Sequence, residues 1–183
     1  VIIPHYNGVE ILRECLNFLL ESSLQNKEII VVDNGSSDES CEMVETQFPA
    51  VKLIESSENR GYAGGCNLGA EQAESTQLVF LNNDTIQDAG WLEPLVKRIN
   101  SDKNISSVQP KILDAKKKDH FEYAGGSGGY MDRYGFPFAR GRIFDTVEKD
   151  EGQYDNACHI FWASGTAFIT RKEVFLQMGG FDE

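Results

Sequence analysis

Two acids far apart in the chain stand in matching positions. Asp33 opens the run Asp33-Asn34-Gly35-Ser36 and Asp84 closes Asn82-Asn83-Asp84, each directly after an apolar stretch. A third polar run, Pro4-His5-Tyr6-Asn7, follows Val1-Ile2-Ile3. An acid flanked by amides at a strand end offers hard oxygen ligands of the kind Mg²⁺ or Mn²⁺ takes. Such ions often use one or two protein carboxylates and complete their shell with substrate phosphates and water. A nucleoside diphosphate-sugar supplies phosphates of that kind. Taken singly, each carboxylate reads equally well as a helix N-cap or a turn acid. The recurrence at one sheet edge, with glycines between, favours a ligand crevice.

The elements around these runs would bring them together. Val1–Pro4 reads as a short strand ended by its proline. Val9, Leu12, Leu16 and Leu19 mark one face of a helix. Residues 28–33 read as a strand buried on both faces. Ser36 and Glu39 have capping-box spacing for a helix that buries Cys41, Val44 and Phe48 and stops before Pro49. Residues 51–54 and 78–81 read as further strands. Between them, the glycine-rich run 61–65 leads into a helix from about Cys66 to Ala73. Trp91, Leu92, Leu95, Val96 and Ile99 mark another amphipathic helix. This alternation predicts an α/β fold, a mainly parallel sheet with helices on both faces. In such sheets ligands bind beyond the carboxyl ends of the strands. From Ser106 the pattern loosens: a strand over 108–113, no sustained period over 114–157, a strand over 160–170 and a short helix over 171–178. Lys116-Lys117-Lys118 reads as a solvated loop tip, and residues 1–183 as one domain.

Composition narrows the field. The 183 residues carry 17 Lys plus Arg against 29 Asp plus Glu, a formal charge of −12. A surface this acidic repels nucleic-acid backbones. No apolar run reaches the ~20 residues that span a bilayer. Cys15, Cys41, Cys66 and Cys158 form no CxxC pair and read as free thiols of a reducing compartment. No GxGxxG follows the first strand and no P-loop is present; Gly125-Gly126-Ser127-Gly128-Gly129 spells GxSxG but does not lie between a strong strand and a helix, as a nucleophile elbow must. The run Gly125–Gly129 reads as a loop. Val1 is preceded by no basic n-region and no initiator Met, so a fragment of a longer protein is expected.

The motifs in order resemble those of family 2 glycosyltransferases. The resemblance is carried by Val1–Asn7, Val31–Asp38, Asn59–Gly69 and Leu81–Asp84, then Ser164–Ala167, Arg171 and Gly179–Glu183. The form Asn59-Arg60-Gly61-Tyr62-Ala63-Gly64-Gly65 is most similar to the rhamnosyltransferase-like branch. The resemblance implies a GT-A fold, a Rossmann-like domain that binds a nucleotide-sugar and inverts the anomeric centre. It implies that Pro4, Tyr6 and Asn7 line the base and ribose pocket and that Asp33 accepts hydrogen bonds there. Asn59, Arg60, Gly61 and Gly65 would belong to a loop near the nucleotide, with Arg60 either on base or phosphate or solvated. Asn82, Asn83 and Asp84 stand where the family carries its DxD motif. With Asn at the first position, only Asp84 can be a charged metal ligand, and Asn82 suits a sugar or ribose contact. Trp162, Ser164 and Gly165 fall on the acceptor side, although core packing explains Trp162 equally well.

Inversion needs a general base to take the acceptor hydroxyl's proton. The resemblance implies an acid shortly after the Gly-Phe-Asp-Glu segment, beyond Glu183. The implied partners are a dTDP- or UDP-linked sugar and a glycan or lipid-linked saccharide acceptor, in bacterial cell-surface polysaccharide synthesis. The implied setting is cytoplasmic, at the inner membrane face, with peripheral membrane contact. A non-catalytic nucleotide-sugar binding module is the alternative. A nucleotidyltransferase ranks last, since it wants a basic glycine-rich loop where Pro4–Asn7 stands.

Overall fold

The computed structural model describes residues 1–124 and 126–183. In chain order the elements begin β1 (Ile2–His5), α1 (Val9–Leu20), β2 (Ile30–Asp33), α2 (Ser40–Gln47) and β3 (Lys52–Glu55). Next come α3 (Gly61–Gln72), β4 (Gln77–Leu81), α4 (Leu92–Ser101) and β5 (Ser107–Val108). The second half holds β6 (Gly129–Met131), β7 (Pro137–Ala139), β8 (Arg142–Ile143), β9 (Thr146–Val147), β10 (Ala167–Arg171) and α5 (Lys172–Gln177).

Six strands form one sheet in the order β3-β2-β1-β4-β10-β5. β3, β2, β1 and β4 are mutually parallel, while β10 lies antiparallel to β4 and β5. The expected α/β fold with a mainly parallel sheet is present, with one reversed strand. β1 and β2 are buried at every position, which is why they read as unbroken apolar runs. Alternate side chains face opposite layers. Ile3, Val31 and Leu81 pack on Leu12, Leu16 and Leu19 of α1 and Met43 and Val44 of α2. Ile2, Ile30, Val32 and Phe80 pack on Cys66 and Ala70 of α3 and Phe175 of α5. Val79 and Ile169 meet Leu92, Leu95 and Ile99 of α4.

The chain moves outward from β1 to β3 with α1 and α2 on one face. It then returns under the other face through α3 and lays β4 beside β1. The strand order therefore reverses between β1 and β4, the switch point at which open α/β sheets bind ligands.

Several expected boundaries shift. β1 continues through Pro4 to His5. The carbonyls of Val1 and His5 bond toward β2, so the missing N–H of Pro4 falls on the β4 side, where the ladder registers only at Ile2. The capping box does not form: Ser36 Oγ instead accepts from the Asn7 N–H at 2.8 Å, and Asp38 Oδ1 receives the Ser40 N–H. Cys41 is half-buried, and Met43 takes the core position expected of it. Helix α3 begins at Gly61, so the expected loop 61–65 is helical. The strand over 108–113 reduces to β5, with Leu113 in an isolated bridge to Phe121. The strand over 160–170 reduces to β10, and Trp162 only bridges Gly129. The aperiodic 114–157 region carries two small hairpins, β6–β7 and β8–β9. Gly125 of the glycine run lies outside the described residues, while Gly126–Gly128 are non-strand and Gly129 opens β6.

Candidate active site

The carboxyl ends of β1, β2 and β4 open into one cleft of about 360 Å³. Its walls are Pro4, His5 and Tyr6 from β1, Asn34 after β2, and Asn82, Asn83 and Asp84 after β4. Asn59, Gly61 and Tyr62 close it from the start of α3. Asp84 is the only carboxylate among these residues, so the acidity of the chain is not concentrated here. The lining is otherwise amides, aromatics and an imidazole, groups that stack on a base and hydrogen-bond to hydroxyls.

Helix α3 reaches this position because its glycines remove Cβ atoms from the sheet contact. A Cβ at Gly69 would lie 2.4 Å from Ile2 Cγ2, and one at Gly65 would lie 2.9 Å from Asn34 Nδ2 and 3.0 Å from Pro4 Cβ. Gly61 enters the helix at φ 68°, a left-handed conformation suited to glycine. Its N–H donates to Asn59 Oδ1 at 2.8 Å and its carbonyl accepts from Asn34 Nδ2 at 3.2 Å. The start of α3 thus borders the cleft, and the N-terminal end of a helix dipole is favourable to anions.

The β1 end is fixed by a hydrogen-bond chain. His5 is buried, with Nδ1 2.7 Å from Asn83 Nδ2 and Nε2 2.8 Å from Ser40 Oγ. Ser40 Oγ lies 2.5 Å from Asp38 Oδ1, and Asp38 Oδ2 accepts from the Gly8 N–H at 2.6 Å. Burial lowers the His5 pKa against the opposing pull of Asp33 and Asp38. Burial opposes ionisation of Asp38, but its hydrogen bonds from Ser40 and Gly8 prevail and hold its carboxyl below the usual range.

Asp33, expected on the donor side, is not among the residues lining the cleft; it ends β2 beside the lining residue Asn34 and is 3% exposed. Its Oδ2 accepts from the N–H groups of Gly35 at 3.0 Å and Ser36 at 2.9 Å. Its Oδ1 has no N–H or O–H partner among the described residues. The Cys41 thiol beside it is pushed up to about 12, chiefly by burial and further by the Asp33 and Glu55 carboxylates.

Of the expected donor residues, the structure gathers Pro4, Tyr6, Asn59, Gly61, Asn82, Asn83 and Asp84 at the cleft wall. Asn7 lies to one side and ties the two loops: its Oδ1 accepts from the Ser37 N–H at 2.9 Å. Gly65 lies in α3 against Asn34 and Pro4, where it makes a helix–sheet contact. Arg60 turns away from the cleft wall. Its Nη2 donates to both Glu183 oxygens, at 3.0 and 2.9 Å. Asn67 completes that clamp, with Nδ2 donating to the Phe181 carbonyl and Oδ1 accepting the Phe181 N–H, both at 2.9 Å. The Phe181 ring sits among Tyr62, Phe80, Phe168 and Phe175.

The expected acceptor residues do not line the cleft. The Trp162 indole covers Gly129 and donates to the Tyr130 carbonyl at 3.1 Å, which is the core-packing reading. Ser164 is buried, and its N–H donates to Gln109 Oε1 at 2.7 Å. Gly165 meets the site through Tyr62: its carbonyl accepts from the Tyr62 hydroxyl at 2.6 Å, and a Cβ on it would lie 3.2 Å from the same hydroxyl. Burial pushes the Tyr62 phenol up, so it remains a donor. In the sequence His5 and Asn34 read only as members of the strand-end runs and Tyr62 only within the 59–65 stretch; none has a role of its own there. Their positions beside Tyr6, Asp33 and Gly61 were the available signal.

Among the described residues no cluster of three or more His, Cys, Asp or Glu side chains could hold a metal by itself. Asp84 is exposed at the cleft and offers one carboxylate. That suits an ion taking most of its shell from a diphosphate and water. No helix among the described residues is long and apolar enough to cross a membrane.

Comparison with known proteins gives a consistent picture. Glycosyltransferase GlyG of Streptococcus pneumoniae is 28% identical over 133 residues, 71% of this chain and 41% of that protein. The mannosyltransferase PcManGT from Pyrobaculum calidifontis, solved with GDP-Man and Mn²⁺, superposes with TM-score 0.67 at 19% identity, covering 99% of this chain and 46% of that one. S. aureus TarS 1-349 in complex with UDP superposes with TM-score 0.68 at 18% identity, covering 97% and 48%. The fold is therefore that of GT-A glycosyltransferases, and this chain spans less than half the length of these relatives. Residues 1–178 match the family described as Glycosyl transferase family 2, and the chain belongs to that family.

Proposed function

We propose that this chain is the donor-binding part of an inverting glycosyltransferase that moves a sugar from a nucleoside diphosphate-sugar to a saccharide acceptor. The observation that carries this reading is the cleft at the β1/β4 switch point, walled by the three strand ends and the start of α3. Tyr6 is half exposed there, and its ring offers a stacking face for a base. Asp33 Oδ1, buried without an N–H or O–H partner, is an acceptor for a base N–H or ribose hydroxyl. Asn82 and Asn83 hydrogen-bond to hydroxyls of the ribose or sugar. Asp84 would hold Mg²⁺ or Mn²⁺, which when bound offsets the charge of the departing diphosphate.

In the reaction the acceptor oxygen forms a bond to the anomeric carbon from the face opposite the diphosphate. The bond to the diphosphate oxygen breaks, and a general base takes the hydroxyl proton. The described residues assigned here serve the donor side. Asn67 and Arg60 clamp the Phe181–Glu183 segment onto α3, beside this donor side. The donor is dTDP-, UDP- or GDP-linked, with rhamnose a candidate sugar on the form of residues 59–65. The acceptor is a glycan or lipid-linked saccharide of cell-surface polysaccharide synthesis, met at the cytoplasmic membrane face.

Calorimetric titration of UDP, dTDP and GDP, each with and without Mn²⁺, tests the reading. One nucleotide should bind in a Mn²⁺-dependent manner, and Asp84→Ala should abolish that dependence. Failure of all three to bind, or binding indifferent to both metal and Asp84, would refute it.

A further inference from the structure

We infer that His5 is a positioning residue that fixes the orientation of the Asn83 amide, so that Asn83 presents its carbonyl oxygen to the cleft and selects a hydroxyl on the bound donor. This rests on the donor-site reading above and deepens it.

The argument is one of matching donors to acceptors along the chain Asn83–His5–Ser40–Asp38. Asp38 as a carboxylate can only accept. Its Oδ1 lies 2.5 Å from Ser40 Oγ, a contact that two acceptors would not tolerate, so the Ser40 hydroxyl proton points at Asp38. Ser40 Oγ then has only lone pairs for His5 Nε2 at 2.8 Å, so Nε2 carries the imidazole proton. A neutral imidazole has one N–H, which leaves Nδ1 bare and accepting. The partner of Nδ1, 2.7 Å away, must then be the NH₂ of Asn83. With its NH₂ engaged inward, Asn83 has its carbonyl oxygen for the cleft it lines. The opposite tautomer would turn the amide over and offer the ligand a donor instead. A carboxylate on the loop before α2 thus decides, through two side chains, what chemical group the β4 end shows to a ligand.

The geometry also explains why a histidine suits this place. β1 ends with its last side chain buried at 2% exposure between the Ser40 end of α2 and the β4 loop. Imidazole spans that gap with one polar atom at each side. Asparagine could imitate the Nδ1 acceptor but not the far Nε2–H. Phenylalanine fills the volume and has neither.

Two measurements on the ligand-free and ligand-bound chain test this. The first is the imidazole ¹⁵N spectrum of His5 in the free chain, which reads the tautomer directly and does not depend on any activity. A protonated Nε2 with a bare Nδ1 hydrogen-bonded to the Asn83 NH₂ is expected; a proton on Nδ1 overturns the proposal. The second is titration of UDP-glucose, dTDP-glucose and GDP-mannose with Mn²⁺ into wild type, Asn83→Ala, His5→Phe and His5→Asn. His5→Phe should weaken binding about tenfold, matching Asn83→Ala, the loss of one buried hydrogen bond. His5→Asn should restore most of it. Equal weakening by Phe and Asn would mean that His5 only fills space, and unchanged binding in both would remove its role. If wild type binds none of the three, the donor-site reading fails; the spectrum still decides whether His5 sets the Asn83 amide.

Discussion

Replacing Gly69 by alanine sets two effects of opposite sign against each other. Alanine is a better helix former than glycine by about 1 kcal/mol, so on propensity alone the change stabilises α3. The added methyl, however, would lie 2.4 Å from Ile2 Cγ2 and 3.1 Å from Val32 Cγ2. Ile2 is 1% exposed on a central strand and has nowhere to go. Overpacking of this severity costs about 3 kcal/mol, the upper end of its usual range. The net expectation is a loss of about 2 kcal/mol. For a domain of this size that lowers the melting temperature by about 4–8 °C. The same substitution at Gly90 meets no atom within 4 Å and should leave stability within about 0.5 kcal/mol of wild type. Thermal and urea unfolding followed by circular dichroism would measure both. An Ile2→Ala background supplies the control. There the Ile2 contacts are gone and only Val32 Cγ2 at 3.1 Å remains, so adding Gly69→Ala should cost clearly less than it does in wild type. A Gly69→Ala protein that melts at or above wild type would refute the view that these glycines exist to seat α3 on β1 and β2.

Asn67→Ala removes both backbone partners of Phe181 and should cost about 1–3 kcal/mol, since a half-buried N–H and carbonyl lose their bonds. Hydrogen exchange at the Phe181 amide should speed up while β2 stays protected; unchanged exchange at Phe181 would show that Asn67 does not hold the segment. Burial raises the pKa of Cys15, and it pushes Cys41 and Cys66 up to about 12. Their thiolate fractions therefore stay small between about pH 7 and 9, and iodoacetamide should modify the exposed Cys158 first. Peptide mapping by mass spectrometry checks the order, and early labelling of Cys41 would contradict the burial account.

Local pattern was enough for the layers and for half the cleft. β1, β2 and β4 are buried on both faces, so their apolar runs were visible, and polar residues at their ends had to share one edge of a parallel sheet. That logic brings the runs Pro4–Asn7, Asp33–Ser36 and Asn82–Asp84 to one edge, and the family resemblance then picks out Pro4, Tyr6, Asn82, Asn83 and Asp84 among them. Tertiary contact decided the rest, because it depends on partners distant in sequence. The glycines of 61–65 look like a loop until α3 is seen pressed against Ile2, Val32 and Pro4. Arg60 reads either as a contact to base or phosphate or as solvated; the structure instead pairs it with Glu183, 123 residues away. Trp162 and Ser164 sit in strand-like surroundings, yet their partners are Gly129, Tyr130 and Gln109, which no short-range period announces. His5 shows the difference most plainly. Its type and position were legible, but which of its nitrogens carries the proton was set by Ser40 and Asp38 across the β1–α2 gap. A sequence fixes which side chains reach a strand end; only the fold fixes which atom of each is left facing the ligand.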